Sequence, residues 1–235
     1  IFVHNVETGE TVRISKRIEQ KGDIFYTVEP DGSSYSPSIS EDGRFIAFSS
    51  FAKNLYPSYD GLFPIGGVSI RHIYVHDRCV DGDQNRFDKD DNVATYLVSC
   101  SVTGDLSDDN SFAPSISLDG KWIAFGSLAS NLGIDGFYPN SFQQVFRRRL
   151  FDGFASKASD GLPEGVYSKS PSHDDHLASL ELLSVDVDGN PGNSDSYDPA
   201  IDGDGDEIVF VSEADHLDAR MSDSNGVPDI FVRSF

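Results

Sequence analysis

The sequence is short of four things, and each shortage removes a class of protein. Positive charge is scarce: 18 Lys and Arg stand against 39 Asp and Glu, a formal net charge of -21 at pH 7. Nucleic acid and anionic membrane surfaces both require a basic footprint, so neither is an expected partner. The balance favours solubility and divalent-cation binding; an acidic, solvated surface with no ligand is the plain alternative. Long apolar runs are also missing. None approaches the ~20 residues of a membrane-spanning helix, so no membrane span is expected. Cysteine occurs twice, at Cys79 and Cys100. In a hairpin turning near residue 86, Cys100 faces roughly Ile73 and Cys79 lies on the order of 20 Å away. That is beyond disulfide reach, so both read as free, small core residues. Catalytic motifs are the fourth shortage. The chain has no G-x-S-x-G elbow, Walker loop, H-E-x-x-H or CxxC pair, and a non-enzyme is expected. It starts at Ile1, without Met or a signal-like n-region, which reads as a processed or excerpted sequence.

What is present is repetition. Residues 35–50 read YSPSISEDGRFIAFSS, residues 112–127 FAPSISLDGKWIAFGS, and residues 197–212 YDPAIDGDGDEIVFVS. A repeated sentence marks a structural unit that cannot bury its apolar faces alone. In each copy an aromatic and a Pro open a short strand, and Pro belongs at a strand start or an edge. An Asp-Gly pair then signals a tight hairpin, at Asp42-Gly43, Asp119-Gly120 and Asp204-Gly205. The next strand is apolar on both faces, so both faces must be covered.

A third strand recurs downstream, as HIYVHDR, QVFRRRL and DIFVRSF, and the chain begins with another, IFVHN. A fourth follows it in TVRIS, TYLVSC and ELLSVDV; residues 174–185 could alternatively hold a helical turn. Four antiparallel strands buried on both faces describe a β-propeller blade. The expected fold is all-β: one repeat domain over residues 1–235, about three repeats, with incomplete blades at both termini. With blade strands lettered a to d, the chain reads c-d, a-b-c-d twice, then a-b-c, thirteen strands in all.

The stretch SPSISEDGRFIAFSS, the downstream A-x-N-L (Ala52 to Leu55, Ala129 to Leu132) and DSNGVPDIFVR at 223–233 resemble TolB-like, WD-related propeller repeats. The resemblance covers most of the chain outside its loops. It implies a propeller fold and a bacterial secreted or periplasmic setting. Function is not implied, because propellers host enzymes, binders and scaffolds alike.

The strongest chemical candidate is DGDQNRFDKDDN at 81–92. Asp81, Asp83 and Asn85 have the D-x-D-x-N spacing that converges alternate oxygens on one hard cation, with Asp88 or Asp90 completing the shell and Phe87 adding a carbonyl. So many oxygens fit Ca²⁺ better than Mg²⁺. Arg86 and Asn92 depart from the EF-hand pattern, and the competing reading is a solvated acidic loop. Asp186, Asp188 and Asn190, followed by Asp195, repeat the spacing, and Asp223, Asn225 and Asp229 form a looser set. Asx-Gly turns form without metal, so these two are weaker candidates. DGDGD at 202–206 is explained by the hairpin turn. His173 and His176 could share a metal but read better as polar loop. SLDGKW approaches a sialidase Asp-box but lacks a residue between Asp119 and Gly120. Arg147-Arg148-Arg149 is expected to pair with acidic loops, and the aromatics are core first.

The functional expectation is a secreted structural or interaction protein: a calcium-stabilised propeller unit assembling head-to-tail, as an oligomer or filament, or binding other extracellular proteins or glycans. The alternatives are a propeller hydrolase of glycosidase or peptidase type, or a glycan- or peptide-binding module of a larger secreted protein.

Overall fold

A computed structural model describes residues 1–21, 23–55, 69–80, 87–89, 92–102, 104–132, 141–150, 177–218 and 225–235. Among them every regular element is a strand and every pairing is antiparallel. The first blade is β1 (Phe2–His4) and β2 (Thr11–Arg13). A separate hairpin follows, β3 (Arg17–Lys21) and β4 (Ile24–Val28). The second blade is β5 (Ser34–Ile39), β6 (Phe45–Ser50), β7 (His72–Asp77) and β8 (Ala94–Leu97), paired in chain order. The third repeats it with β9 (Ser111–Ile116), β10 (Trp122–Ser127), β11 (Gln144–Leu150) and β12 (Leu177–Leu182). The fourth has three strands, β13 (Ser196–Ile201), β14 (Glu207–Ser212) and β15 (Asp229–Ser234). The architecture is the all-β, blade-repeat type expected of a propeller.

Four expectations need correction. The described strands number fifteen, because residues 17–28 form a hairpin outside the repeat. Elsewhere the same connection is short and closed by single bridges, Cys100 to Leu106 and Val185 to Pro191. The fourth strand of the third blade is Leu177–Leu182, so ELLSVDV overlaps it only at its start. The helical alternative for 174–185 gives way to a strand, because β12 pairs along β11 and completes that blade. The β7–β8 register is Tyr74 to Leu97, which brings Val98, not Cys100, opposite Ile73. Both cysteines are buried thiols outside any disulfide.

The repeat is reproduced in bond-by-bond detail. Each a strand carries a bulge at a left-handed residue before its proline, at Ser36, Ala113 and Asp198 (φ 51, 46 and 50°). Strand a is an edge, where a missing proline N–H and a bulge are both tolerated. Each a–b pair is closed by a serine couple, Ser34 to Ser50, Ser111 to Ser127 and Ser196 to Ser212, at 2.9, 3.0 and 2.8 Å. Rings on strands b and c then stack in each blade: Phe48 on Tyr74, Phe125 on Phe146, Phe210 on Phe231.

Burial happens between blades. Ile1, Val3 and Ile14 of the first pack against Ile46, Phe48 and Tyr74 of the second. Ile73, Val75 and Val98 of the second meet Ile123, Phe125 and Phe146 of the third. Val145 and Leu183 of the third meet Ile208 and Phe210 of the fourth. The same polar stitches recur across these joints. Ile116 N–H donates to Ser38 and Ile201 N–H to Ser115, at 3.1 and 3.2 Å. The turn glycines make the closest approach: a Cβ on Gly120 would lie 2.6 Å from the Phe45 ring, and one on Gly205 would enter the Trp122 ring. Only glycine fits, since both also hold positive φ.

Candidate functional site

The acidic loops were the leading sequence candidates. Asp81, Asp83, Asn85, Asp90 and Asp223, with His173 and His176, lie outside the described residues. Asp88 is described: its carboxylate accepts from Arg78 Nε at 2.9 Å and from Nη2 at 2.5 Å, and Arg78 also lies over the Phe87 ring. Asn92 is buried, its amide 3.6 Å from Cys79 Sγ. Asp88 and Asn92 therefore anchor the descending end of the loop to strand c.

Asp186, Asp188 and Asn190 do come together, as a turn. The Asp186 Oδ1 accepts from Asp188 N–H at 2.9 Å and Asn190 N–H at 2.8 Å. The Asn190 side-chain amide also donates to Asp186, and these bonds hold its carboxyl below the usual range. Asp195 is engaged elsewhere, accepting from Gln143 N–H at 2.7 Å. Asn225 accepts from Val227 N–H at 2.8 Å, and Asp229 opens β15 opposite Ser212. Among the described residues no group of three or more His, Cys, Asp or Glu is placed to hold a metal ion.

A basic position on strand c emerges that the sequence reading passed over. His4, His76, Arg148 and Arg233 are structurally equivalent, one per blade. The column was visible in IFVHN, HIYVHDR, QVFRRRL and DIFVRSF once aligned on the stacked rings. In the first two blades a cross-strand threonine meets the imidazole: His4 Nδ1 to Thr11 and His76 Nδ1 to Thr95, both 2.8 Å. In the last two an arginine reaches back to the end of the preceding blade. Arg148 donates to the Cys100 carbonyl at 2.5 Å and contacts its sulfur at 3.2 Å. Arg233 donates to the Leu183 carbonyl at 2.9 Å and to the Val185 carbonyl. These bonds satisfy carbonyls that the end of a d strand leaves unpaired.

Burial sets the electrostatics of this column. His76 is pushed down to about 3 by burial, with Lys16 and Arg78 adding to it, and stays neutral. His72, hydrogen-bonded to Ser107 at 2.8 Å, is pushed down to about 4 by burial. Arg148 is wholly buried and among the described residues is held by Cys100; burial lowers its proton affinity and raises that of the Cys100 thiol. The expectation that the 147–149 run pairs with acidic loops is corrected accordingly. Arg147 pairs with Glu181 on the neighbouring strand at 2.7 Å, under Trp122; Arg148 meets no carboxylate among the described residues. In the column the two arginines join neighbouring blades, and the two histidines tie strand c to strand d within their own.

No protein-family model matches the chain, and no curated protein does either. Among solved structures it is similar to one described as the crystal structure of the tricorn protease, with 18% identity and a TM-score of 0.44. The likeness covers 92% of this chain and 17% of that one, so the chain spans under a fifth of that protein's length.

Proposed function

We propose that this chain is a structural and interaction unit, built of TolB-like propeller repeats, that works outside the cytoplasm by self-assembly or by binding other extracellular proteins or glycans and is steadied by calcium. The observation that carries this reading is the blade repeat, whose joints are made of the same apolar faces and polar stitches each time. Within these residues the first blade has strands c and d, and the fourth has strands a, b and c. Units of this kind bury their faces against like units, in the same chain or in a second one.

The shifted carboxyls support a non-catalytic role. A hydrolytic pair needs one carboxyl held up as an acid. Glu29, Asp119 and Asp186, among the described residues, are all held down instead. The calcium part rests on the 81–90 spacing, and the secreted part on the repeat resemblance. The test is mass measurement by light scattering together with electron microscopy, in calcium and after chelation. Oligomers or filaments that weaken on chelation are expected. A strictly monomeric protein in calcium would overturn the assembly reading.

A further inference from the structure

Between the second and third blades an arginine stands among three aromatic rings. The guanidinium carbon of Arg71, the residue before β7, lies 4.7 Å from the centre of the Phe51 ring and 5.1 Å from those of Tyr35 and Phe112. Tyr35 and Phe51 belong to the second blade and meet edge to face, 6.3 Å apart, while Phe112 comes from β9 of the third. Rings beside a guanidinium take its faces and leave its N–H donors, which lie in its plane. Arg44, Arg78 and Arg147 also lie over rings, and each has a carboxylate at its fork. Arg71 meets no carboxylate among the described residues. Its Nε is buried without a hydrogen-bond partner, yet the residue is only half-buried, so the terminal nitrogens form the edge a ligand can reach.

The next joint is built without this arrangement. Arg71 N–H donates to the Asn110 side chain at 2.8 Å, and the Arg71 carbonyl accepts from Ser111 N–H at 2.7 Å. One blade on, Gln143 makes the same two bonds, with Asp195 and Ser196, both at 2.7 Å. There Gln143 takes the place of Arg71, and Leu128 that of Phe51. The backbone clamp is common to both joints; the guanidinium and the extra ring are added to it at one. They are also held firmly. Phe51 N–H donates to the Ser33 carbonyl at 2.9 Å, and Gly32 packs so closely that a Cβ on it would lie 2.5 Å from the Phe51 carbonyl carbon. Fixed placement of this kind is what recognition requires.

We propose that Arg71, with Phe51 and Phe112, binds a carboxylate-bearing sugar, a uronic acid unit of a glycan. This rests on the glycan-binding arm of the reading above and names its site. The terminal nitrogens form a fork that matches the two oxygens of one carboxylate. A uronic acid carries that carboxylate on a rigid ring with an apolar C–H face, which suits the aromatic surface beside the fork. A glutamate side chain brings the same group on a flexible stem with no such face. In a chain of net charge -21, one unpaired cation suits a single acidic sugar better than a polyanion.

Saturation-transfer NMR with methyl glucuronide tests the site. Transfer to the sugar protons is expected, and the neutral methyl glucoside should bind about tenfold more weakly, for want of one charge-assisted pair. Arg71→Gln and Phe51→Leu copy the neighbouring joint, so both should keep the wild-type melting temperature. Arg71→Gln should lose the glucuronide response, and Phe51→Leu should weaken it. Equal binding of glucoside, stronger binding of N-acetylglutamate amide, or an Arg71→Gln protein that still binds would overturn the proposal. So would a wild-type chain silent toward glucuronide. That result sinks this site alone, since scattering and microscopy decide self-assembly separately.

Discussion

The guanidinium of Arg148 lies 2.5 Å from the carbonyl oxygen of Cys100, across a blade boundary and wholly out of contact with water. A buried cation held by one carbonyl and a sulfur is costly to keep and costly to break. Removing one partner of such a bond strands the other, whereas replacing the charge with a well-packed apolar chain is often neutral. Arg148→Ala is therefore expected to destabilise by about 3 kcal/mol and Arg148→Met by clearly less. Urea titrations at pH 7 decide this. Equal losses for the two would mean that the charge itself is needed.

The thiols give a second, independent reading of that boundary. Cys79 and Cys100 are buried, and burial pushes the Cys100 thiol up. Thiolate is the reactive form. Neither cysteine is expected to react with a chromogenic disulfide reagent in the native state, and both should react in denaturant. Prompt labelling of Cys100 at pH 8 would show that the joint opens.

Acid should loosen the protein before its carboxylates titrate. His72 and His76 sit near 4 and 3 when folded, against an ordinary histidine value of 6.5. The unfolded chain therefore binds more protons below about pH 6.5, and stability falls as pH falls through that window. Each such histidine contributes at most about 1.4 kcal/mol per pH unit. Denaturant midpoints at pH 7.5 and pH 5 measure the slope, and His76→Gln should flatten it. A midpoint that rises toward pH 5 contradicts the assignment.

The turn glycines separate backbone strain from blade packing. Gly189 and Gly205 share a φ of 85°, but a Cβ at Gly189 meets nothing while one at Gly205 enters the Trp122 ring. Gly189→Ala should cost about 1 kcal/mol, the left-handed penalty alone. Gly205→Ala should cost at least twice as much, visible as a larger drop in Tm. Parity between the variants would mean that the interblade contact at Trp122 yields at no cost.

Calcium is expected to raise the melting temperature, and exhaustive chelation to lower it. Asp81→Asn with Asp83→Asn should remove the response, while Asp186→Asn keeps it, because Asp186 is engaged by its own turn. A calorimetric scan indifferent to calcium in the wild type would leave 81–90 as an ordinary acidic loop.

The blades themselves were legible in the sequence. Strand b alternates nothing: Ile46, Ala47 and Phe48 are all apolar, which requires cover on both faces, and Asp42-Gly43 sets the turn before it. These are short-range facts, governed by a period of two and by backbone sterics. By those facts Ile46, Phe48, Ile123, Phe125, Ile208 and Phe210 belong in the core, where all six lie. The β3–β4 hairpin escaped because it has no counterpart in the other repeats. Strand β12 was misplaced because its leucines suit a helix or a strand until β11 supplies the pairing. What only tertiary structure decided was the stagger between blades. That stagger sends Arg148 to Cys100 and sets Gly205 on Trp122. Such contacts join residues many positions apart through packing, and no local pattern along one strand encodes the offset of the next.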